Sequence, residues 1–437
     1  MNTLDRHILR LALPSIVSNI TVPLLGLCDV AVMGHVGGAT SIAAISVGSM
    51  IFNVIYWLFV FLRMSTSGLT AQAYGAGFWC EASVTLRRSL LTALAAGLAI
   101  IAFQVPLRHL AFFLMQATPD VLEPCTHYYN ICIWGAPAML GLYALTGWLI
   151  GMQNTRFPMV VAIWQNVVNI VLSLVLVLGF GMGIMGVAIG TVTAQWTGFL
   201  TAVAMVLIES RKHGLKLLDK ADDGEKKLPS EESHLRLNLN IFLRTLCLVS
   251  VNLYFTSAGA AQGALTLAAN TLLLQMYLLY SYITDGFAFA GEALSGRYLG
   301  AGDSTMLRHT VRRLFAWGWG LALLFTVAYF FGGSTLLSLL TSDDAVVVRA
   351  LTFLPWAVLV PMAGTAAFVW DGIFIGTTQS QGMLTACLWA AAAFFLLWFA
   401  LSPWLGNHAL WLSLVVYLGV RGGVQTLLWR RRPALIR

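Results

Sequence analysis

Residues 8–34 read ILRLALPSIVSNITVPLLGLCDVAVMG. A helix crosses the hydrocarbon core of a bilayer in about 20 residues, so this run is long enough to span a membrane, yet it keeps a carboxylate, Asp29, near its far end. Eleven further apolar stretches of spanning length follow, near 42–67, 89–107, 128–151, 158–180, 186–208, 240–259, 268–296, 314–340, 350–377, 382–402 and 408–428. With 59% hydrophobic and 10% charged residues, the chain has too little polar surface to cover a soluble body of 437 residues. The stretches are long and continuous, where a membrane barrel shows short segments of alternating polarity, so they read as helices. The expected fold class is an all-α polytopic membrane protein with twelve transmembrane helices.

Lys and Arg are retained on the cytoplasmic side of membrane proteins. With the amino terminus placed inside, all of the 25 Lys and Arg except Arg108 and Arg349 fall on cytoplasmic segments or the inner parts of helices. Both termini are therefore expected in the cytoplasm. The formal charge of +7 is this bias rather than a nucleic-acid surface. The first apolar run is too long for a secretory signal and lacks a small-residue cleavage site, so it is expected to be the first span. Cys28, Cys80, Cys125, Cys132, Cys247 and Cys387 are dispersed, with no CxxC-like pair, and imply neither a disulfide nor a metal site.

One stretch breaks the apolar pattern. Residues 211–236, RKHGLKLLDKADDGEKKLPSEESHLR, mix both signs of charge and read as a solvated linker. The expected organisation is an amino-terminal lobe at 1–210 with helices 1–6, a charged linker at 211–238, and a carboxy-terminal lobe at 239–437 with helices 7–12. An internal repeat supports it: a shift of 225 carries GATSIAAI (38–45) onto GALTLAAN (263–270), LTAQAYGAG (69–77) onto LSGRYLGAG (294–302) and GWLIGMQNT (147–155) onto GIFIGTTQS (372–380). Six spans is an even number, so both halves start inside and the two six-helix lobes are related by a parallel pseudo-twofold repeat. Such halves enclose a cavity with a substrate site near the midplane.

A charged side chain at bilayer depth costs roughly 2.5–3.5 kcal/mol on insertion scales, so each needs a partner, a wet cavity or a proton. Asp29, Asp285, Glu292 and Asp371 are the acids that fall within the spans. Desolvation disfavours the charged form of a carboxylate in an apolar cavity, which suits Asp29 to gain and lose a proton as that cavity opens and closes; a structural Asp29, hydrogen-bonded to neighbouring helices, is the alternative. In the fifth span Asn166, Asn169 and Ser173 share a helical face, and Thr191, Thr193 and Gln195 of the sixth extend a polar network, with helix–helix adhesion as the competing role. Asp285 and Asp371 are candidates to line a second-lobe cavity, whereas Glu292 lies beside Arg297 and reads as structural. The glycine-rich 179–190 has no strand before it and no ribose-binding acid after it, so it is an outer turn rather than a dinucleotide site. Pro14 and Pro23 in the first span, and Pro355 and Pro361 in the tenth, each remove a helix hydrogen bond and favour bends.

Taken with LALPSIVSNITVPLLGLCDVAVMGHVG (11–37), FLRMSTSGLTAQAYGAG (61–77), DGFAFAGEALSGRYLGAG (285–302), WDGIFIGTT (370–378) and PWLGNHALW (403–411), the chain resembles the multidrug and toxic compound extrusion (MATE) transporters of the DNA-damage-inducible F (DinF) branch over essentially its whole length. The resemblance implies two six-helix lobes around a central cavity and export of amphiphilic, often cationic compounds in exchange for protons or sodium. It places the family's first-span aspartate at Asp29, its bending proline at Pro14, its fifth-span asparagine at Asn169 and its sixth-span threonine at Thr191. The family's second amino-lobe aspartate is Ser173 here, within NIVLS, and the seventh-span glutamate of the sodium-coupled branch has no counterpart in TLCLVSVNLYFTSAGAA (245–261). Both departures favour protons over sodium. The expectation is a proton-coupled antiporter of a bacterial cytoplasmic membrane, monomeric, without cofactor or metal, whose partners are the lipid bilayer and a small amphiphilic or cationic substrate. A lipid-precursor flippase is the alternative within transport, weakened because the spans offer few basic residues, chiefly Arg63, Arg297 and Arg421 near the inner face. An intramembrane enzyme would need paired metal-binding acids, a zinc motif or a Ser/His dyad, and no span supplies one.

Overall fold

Hydrocarbon offers no partner to a backbone N–H or C=O, so a spanning segment must close its hydrogen bonds internally. The computed structural model describes the backbone of residues 3–36, 38–115, 119–215 and 234–431, and their side chains except at 22–36, 39 and 119. Among the described residues there is no strand. The helices are α1 (Thr3–Val36), α2 (Ala39–Leu58), α3 (Phe61–Ala76), α4 (Trp79–Ala102), α5 (Gln104–Met115), α6 (Pro119–Cys132), α7 (Ala136–Gly151), α8 (Arg156–Leu174), α9 (Gly183–Lys212), α10 (His234–Ala260), α11 (Ala264–Gly300), α12 (Ser304–Leu340), α13 (Asp344–Gly376), α14 (Ser380–Leu405) and α15 (Asn407–Arg430). Eleven of the twelve expected spans recur as apolar helices of spanning length among the described residues, and α1 carries the first. Large apolar side chains such as Phe113, Phe331 and Trp404, the last 87% exposed, cover the outside. Water would not tolerate so much exposed apolar surface, whereas lipid welcomes it.

Two expected spans are corrected in detail. The second is not one unbroken helix over 42–67: it breaks at Phe59–Val60 and resumes as α3, which runs on to Ala76. The third begins at Trp79 rather than near 89, and it stops at Phe103 before α5. Most of the charged linker, residues 216–233, lies outside the described residues.

The chain divides into two compact units, residues 17–229 and residues 1–16 with 230–437. The boundary falls inside α1, two residues after Pro14, whose missing N–H leaves the Arg10 carbonyl without its helical donor. The start of α1 is fixed within the carboxy-terminal unit, where Trp317 Nε1 donates to Asp5 Oδ1 at 3.2 Å and Arg313 Nη1 lies 3.9 Å from Asp5 Oδ2. In the amino-terminal unit α7 is the central helix, with Trp148 fully buried and donating to the Ala82 carbonyl at 3.0 Å. In the carboxy-terminal unit Phe255, Phe353, Phe394 and Trp411 fill the core, and Asn270 and Asn407 exchange amide hydrogen bonds at 2.8 Å between α11 and α15.

The 225-residue repeat seen in three sequence blocks extends to the helix ends. It carries the starts of α2, α4 and α6 onto those of α11, α12 and α13, and the ends of α5 and α7 onto those of α12 and α13. Gly77 and Gly302 both turn left-handed, at φ 73° and 69°, and so do the non-glycines Gln153 and Thr378, at 63° and 53°. Each stops its helix in the same way: Asn154 N donates to Leu149 O and Gln153 N to Ile150 O, as Gln379 N does to Phe374 O and Thr378 N to Ile375 O. Close helix packing repeats too. A Cβ on Gly147 would strike the Arg63 carbonyl, and one on Gly372 the carbonyl of Ala288, the repeat-equivalent residue.

Gly372→Val should therefore destabilise the protein, at the overpacking cost of about 1–3 kcal/mol, seen as a lower melting temperature in detergent. Gly320→Ala, where nothing lies within 4 Å of a new Cβ, should leave it unchanged; equal melting of the two variants would contradict the close approach.

Candidate functional site

In the amino-terminal unit, two polar groups on α8 meet α9. Asn169 is fully buried, and its Nδ2 donates to Thr191 Oγ1 at 3.0 Å. Thr191 spends its own proton on the Val187 carbonyl at 3.0 Å, so it must accept from Asn169, which fixes the amide with its oxygen turned away. That oxygen, Asn169 Oδ1, has no hydrogen-bond partner among the described residues, and neither has Ser173 Oγ one turn further on. Ser173 is 1% exposed and fits against Gly190, whose lack of a side chain lets α8 and α9 close around it. A single π-helical turn, Val175–Gly179, follows at once, a local irregularity common at functional sites. Asn166 does not join this pair. Its Nδ2 donates to the Thr21 carbonyl of α1 at 2.9 Å and so pins α8 to α1. Asp29 lies on α1, and its side chain is outside the described residues.

The carboxy-terminal unit holds a different arrangement. Asp371 on α13 is 8% exposed and engages both guanidinium groups of its unit's core. Arg244 of α10 bonds Asp371 Oδ2, Arg421 Nη2 of α15 reaches the same oxygen at 3.3 Å, and Gln425 Nε2, one turn beyond Arg421, donates to Oδ1 at 2.7 Å. Arg244, Arg421 and Gln425 are 6%, 3% and 0% exposed. Such a pair is sustainable in a low dielectric only when geometry and extra hydrogen bonds offset desolvation of the charges. Phe368 and Tyr417 face the Arg421 guanidinium, with ring centroids at 5.5 and 5.9 Å. The thiol of Cys247 donates to the Cys387 carbonyl at 3.7 Å, and that of Cys387 to the Arg244 carbonyl at 3.8 Å, so these two cysteines, far apart in sequence, share one helix contact.

Asp285 does not join Asp371. It is half-buried on α11 and accepts from Ser281 Oγ at 3.5 Å, while the hydrogen bonds of Arg244 and Arg421 go to Asp371. Glu292 is fully buried on the same helix. The sequence reading set Arg421 near the inner face and did not single out Arg244. The structure shows what the two do: both are buried counter-ions of Asp371. Two signals pointed there. Arg421 and Gln425 are four apart and share a helix face, and the 225 shift pairs Asp371, Arg244, Arg421 and Gln425 with Thr146, Asn19, Trp196 and Leu200, so the three charged residues have no charged counterpart in the other half.

Removing one member of a buried ion pair costs about 3–5 kcal/mol, because its partner is left charged and dry. Asp371→Asn should thus lower the melting temperature markedly, and adding Arg244→Gln should recover part of the loss; strictly additive losses would show that the two groups do not interact.

A family model described as MatE matches residues 14–175 and 241–404. The chain is 39% identical over 430 residues to DNA damage-inducible protein F of Escherichia coli strain K12, covering 98% of this chain and 92% of that protein. It is 24% identical over 354 residues to the probable multidrug resistance protein NorM of Thermotoga maritima, covering 78% and 73%. Its fold matches a bent form of the Vibrio cholerae MATE transporter VcmN with a TM-score of 0.84 at 20% identity, over 99% of this chain and 97% of that one. An outward-facing multidrug resistance MATE transporter matches at 0.88 and 19%, over 100% and 97%.

Proposed function

The chain belongs to the MatE family of multi-pass membrane transporters, and from that premise we propose that it exports amphiphilic or cationic organic compounds in exchange for protons. We place it, as a monomer with both termini in the cytoplasm, in a bacterial cytoplasmic membrane, alternating access between the two sides. The observation that carries proton coupling is the inequality of the halves. In the carboxy-terminal unit both oxygens of Asp371 are engaged by cationic or amide donors, a surrounding that repels a sodium ion. In the amino-terminal unit Asn169 Oδ1 and Ser173 Oγ are buried acceptors with no donor among the described residues. An acid that carries a proton can donate to such oxygens, and one that has lost it cannot.

In this reading Asp29 is the proton carrier, and Asn169, Ser173 and Thr191 supply hydrogen bonds that change with its protonation. Asn166 holds α8 against α1, and Pro14 gives α1 a place to bend. A serine where the family keeps a second aspartate leaves Asp29 as the single acid of this network. Each proton driven inward by 100 mV supplies about 2.3 kcal/mol, enough for roughly fiftyfold accumulation by one-for-one exchange of a neutral compound.

Asp29→Asn keeps the volume and removes the titratable group. In proteoliposomes it should abolish transport driven by an imposed pH gradient while elution and melting stay as in the wild type; gradient-driven transport at the wild-type rate would sink the assignment. Sodium is tested separately. At fixed pH and membrane potential, transport should not depend on sodium concentration, and a steep rise with sodium would overturn proton coupling.

A further inference from the structure

The centre of the carboxy-terminal unit brings two guanidinium groups to one carboxylate. Asp371 is the acid bonded by both Arg244 and Arg421, so the three side chains carry one net positive charge in a nearly dry setting. Asp285, on α11, accepts from Ser281 Oγ at 3.5 Å, while the ion pairs seen at Arg244 and Arg421 both go to Asp371.

Hydrogen bonding is unbalanced in the same sense. Two guanidinium groups bring about ten N–H donors, and a carboxylate offers about four acceptor sites. Gln425 already occupies one oxygen of Asp371. Arg421 Nε is left buried with no partner among the described residues. An uncompensated buried donor of this kind is costly unless something else accepts from it. The aromatic faces of Phe368 and Tyr417 against Arg421 supply an apolar wall beside the charge.

We propose that this centre binds the anionic headgroup of a transported amphiphile, a sulfonate, sulfate or carboxylate, on Arg421 and Arg244, with Asp371 as the resident counter-ion that the headgroup displaces. Planar guanidinium groups bind such oxyanions through paired N–H donors. Asp371 keeps the arginines partnered between transport events, so the entering headgroup replaces one carboxylate-type contact with another rather than filling a bare positive site. The hydrophobic body of the amphiphile lies against the aromatic wall. The proposal rests on the transport reading above and extends its substrates to anions, recognised in the half of the chain that does not carry the proton.

Equilibrium binding of radiolabelled naphthalenesulfonate tests it, with tetraphenylphosphonium as the cationic control, on the full chain in phosphatidylcholine nanodiscs so that no anionic lipid competes. Arg421→Gln should weaken sulfonate binding by about tenfold or more, the loss of one charge-assisted contact, and leave the phosphonium affinity unchanged. Arg421→Lys, which keeps the charge but not the fork, should fall between. Asp371→Asn removes the competitor, so it should bind the sulfonate more tightly than the wild type and gain melting temperature when the sulfonate is added. That variant decides the matter should Arg421→Gln fail to fold. A wild type that binds phosphonium but not sulfonate overturns the anion site and leaves export of cations standing. Sulfonate affinity unaffected by the Arg421 and Asp371 substitutions also overturns it, as does displacement of the probe by phosphatidylglycerol alone, which would put a lipid headgroup on the arginines. Sulfonate binding as expected with no gradient-driven movement of either probe would instead refute the transport reading and leave the anion site intact.

Discussion

A charge held in a low dielectric needs a partner, and Asp371 with Arg244 and Arg421 meets that need inside one unit of the protein. Three helices, α10, α13 and α15, supply one side chain or more each. Desolvating these groups is costly, and their mutual attraction offsets the cost only while all of them stay in place. The packing around them keeps them there: Trp370 donates to Thr426 Oγ1 at 2.7 Å between α13 and α15, and Asn240 to Ser380 Oγ at 2.9 Å between α10 and α14. The buried ion cluster thus doubles as a constraint on helix positions and as a store of positive charge.

The amino-terminal unit has the same backbone plan and the opposite chemistry. Helix ends, left-handed stops and glycine contacts repeat at one offset, which shows that the backbone solution was kept while side chains diverged. Where the second half holds Asp371, the first holds Thr146, and where the second has Arg421 the first has Trp196. The polar groups that meet between α8 and α9 in the first half are neutral, Asn169, Ser173 and Thr191, and two of their oxygens stay unsatisfied among the described residues. The proposed division of labour accounts for that difference: in it one unit answers to a proton and the other to a substrate's charge.

Much of the fold was legible in sequence because the bilayer imposes a coarse rule on it. Every spanning stretch had to be long, apolar and helical, and the repeat supported their division into two halves. Breaks inside spans were not legible. Phe59–Val60 and Phe103 interrupt helices at apolar residues that carry no turn signal, so nothing in Ile55–Arg63 announces the interruption. The Asn169–Thr191 contact falls within the polar network expected across the fifth and sixth spans, whereas the bond of Asn166 to the backbone of α1 was not legible, since a backbone acceptor leaves no mark in sequence. Arg244 and Arg421 were not read as counter-ions of Asp371 because arginine near the inner end of a span normally reaches for the interface; their burial against Asp371 shows that these two turn inward.

The proposed division of labour makes one carboxyl group the proton carrier. Infrared difference spectroscopy of the purified protein between mildly acidic and alkaline pH reads protonated carboxyl groups through their C=O stretch. A pH-dependent carboxyl band is expected that disappears in Asp29→Asn and persists in Asp371→Asn, because the proposed proton carrier is Asp29 and not the arginine-bonded Asp371. A band that persists in Asp29→Asn and vanishes in Asp371→Asn would contradict it.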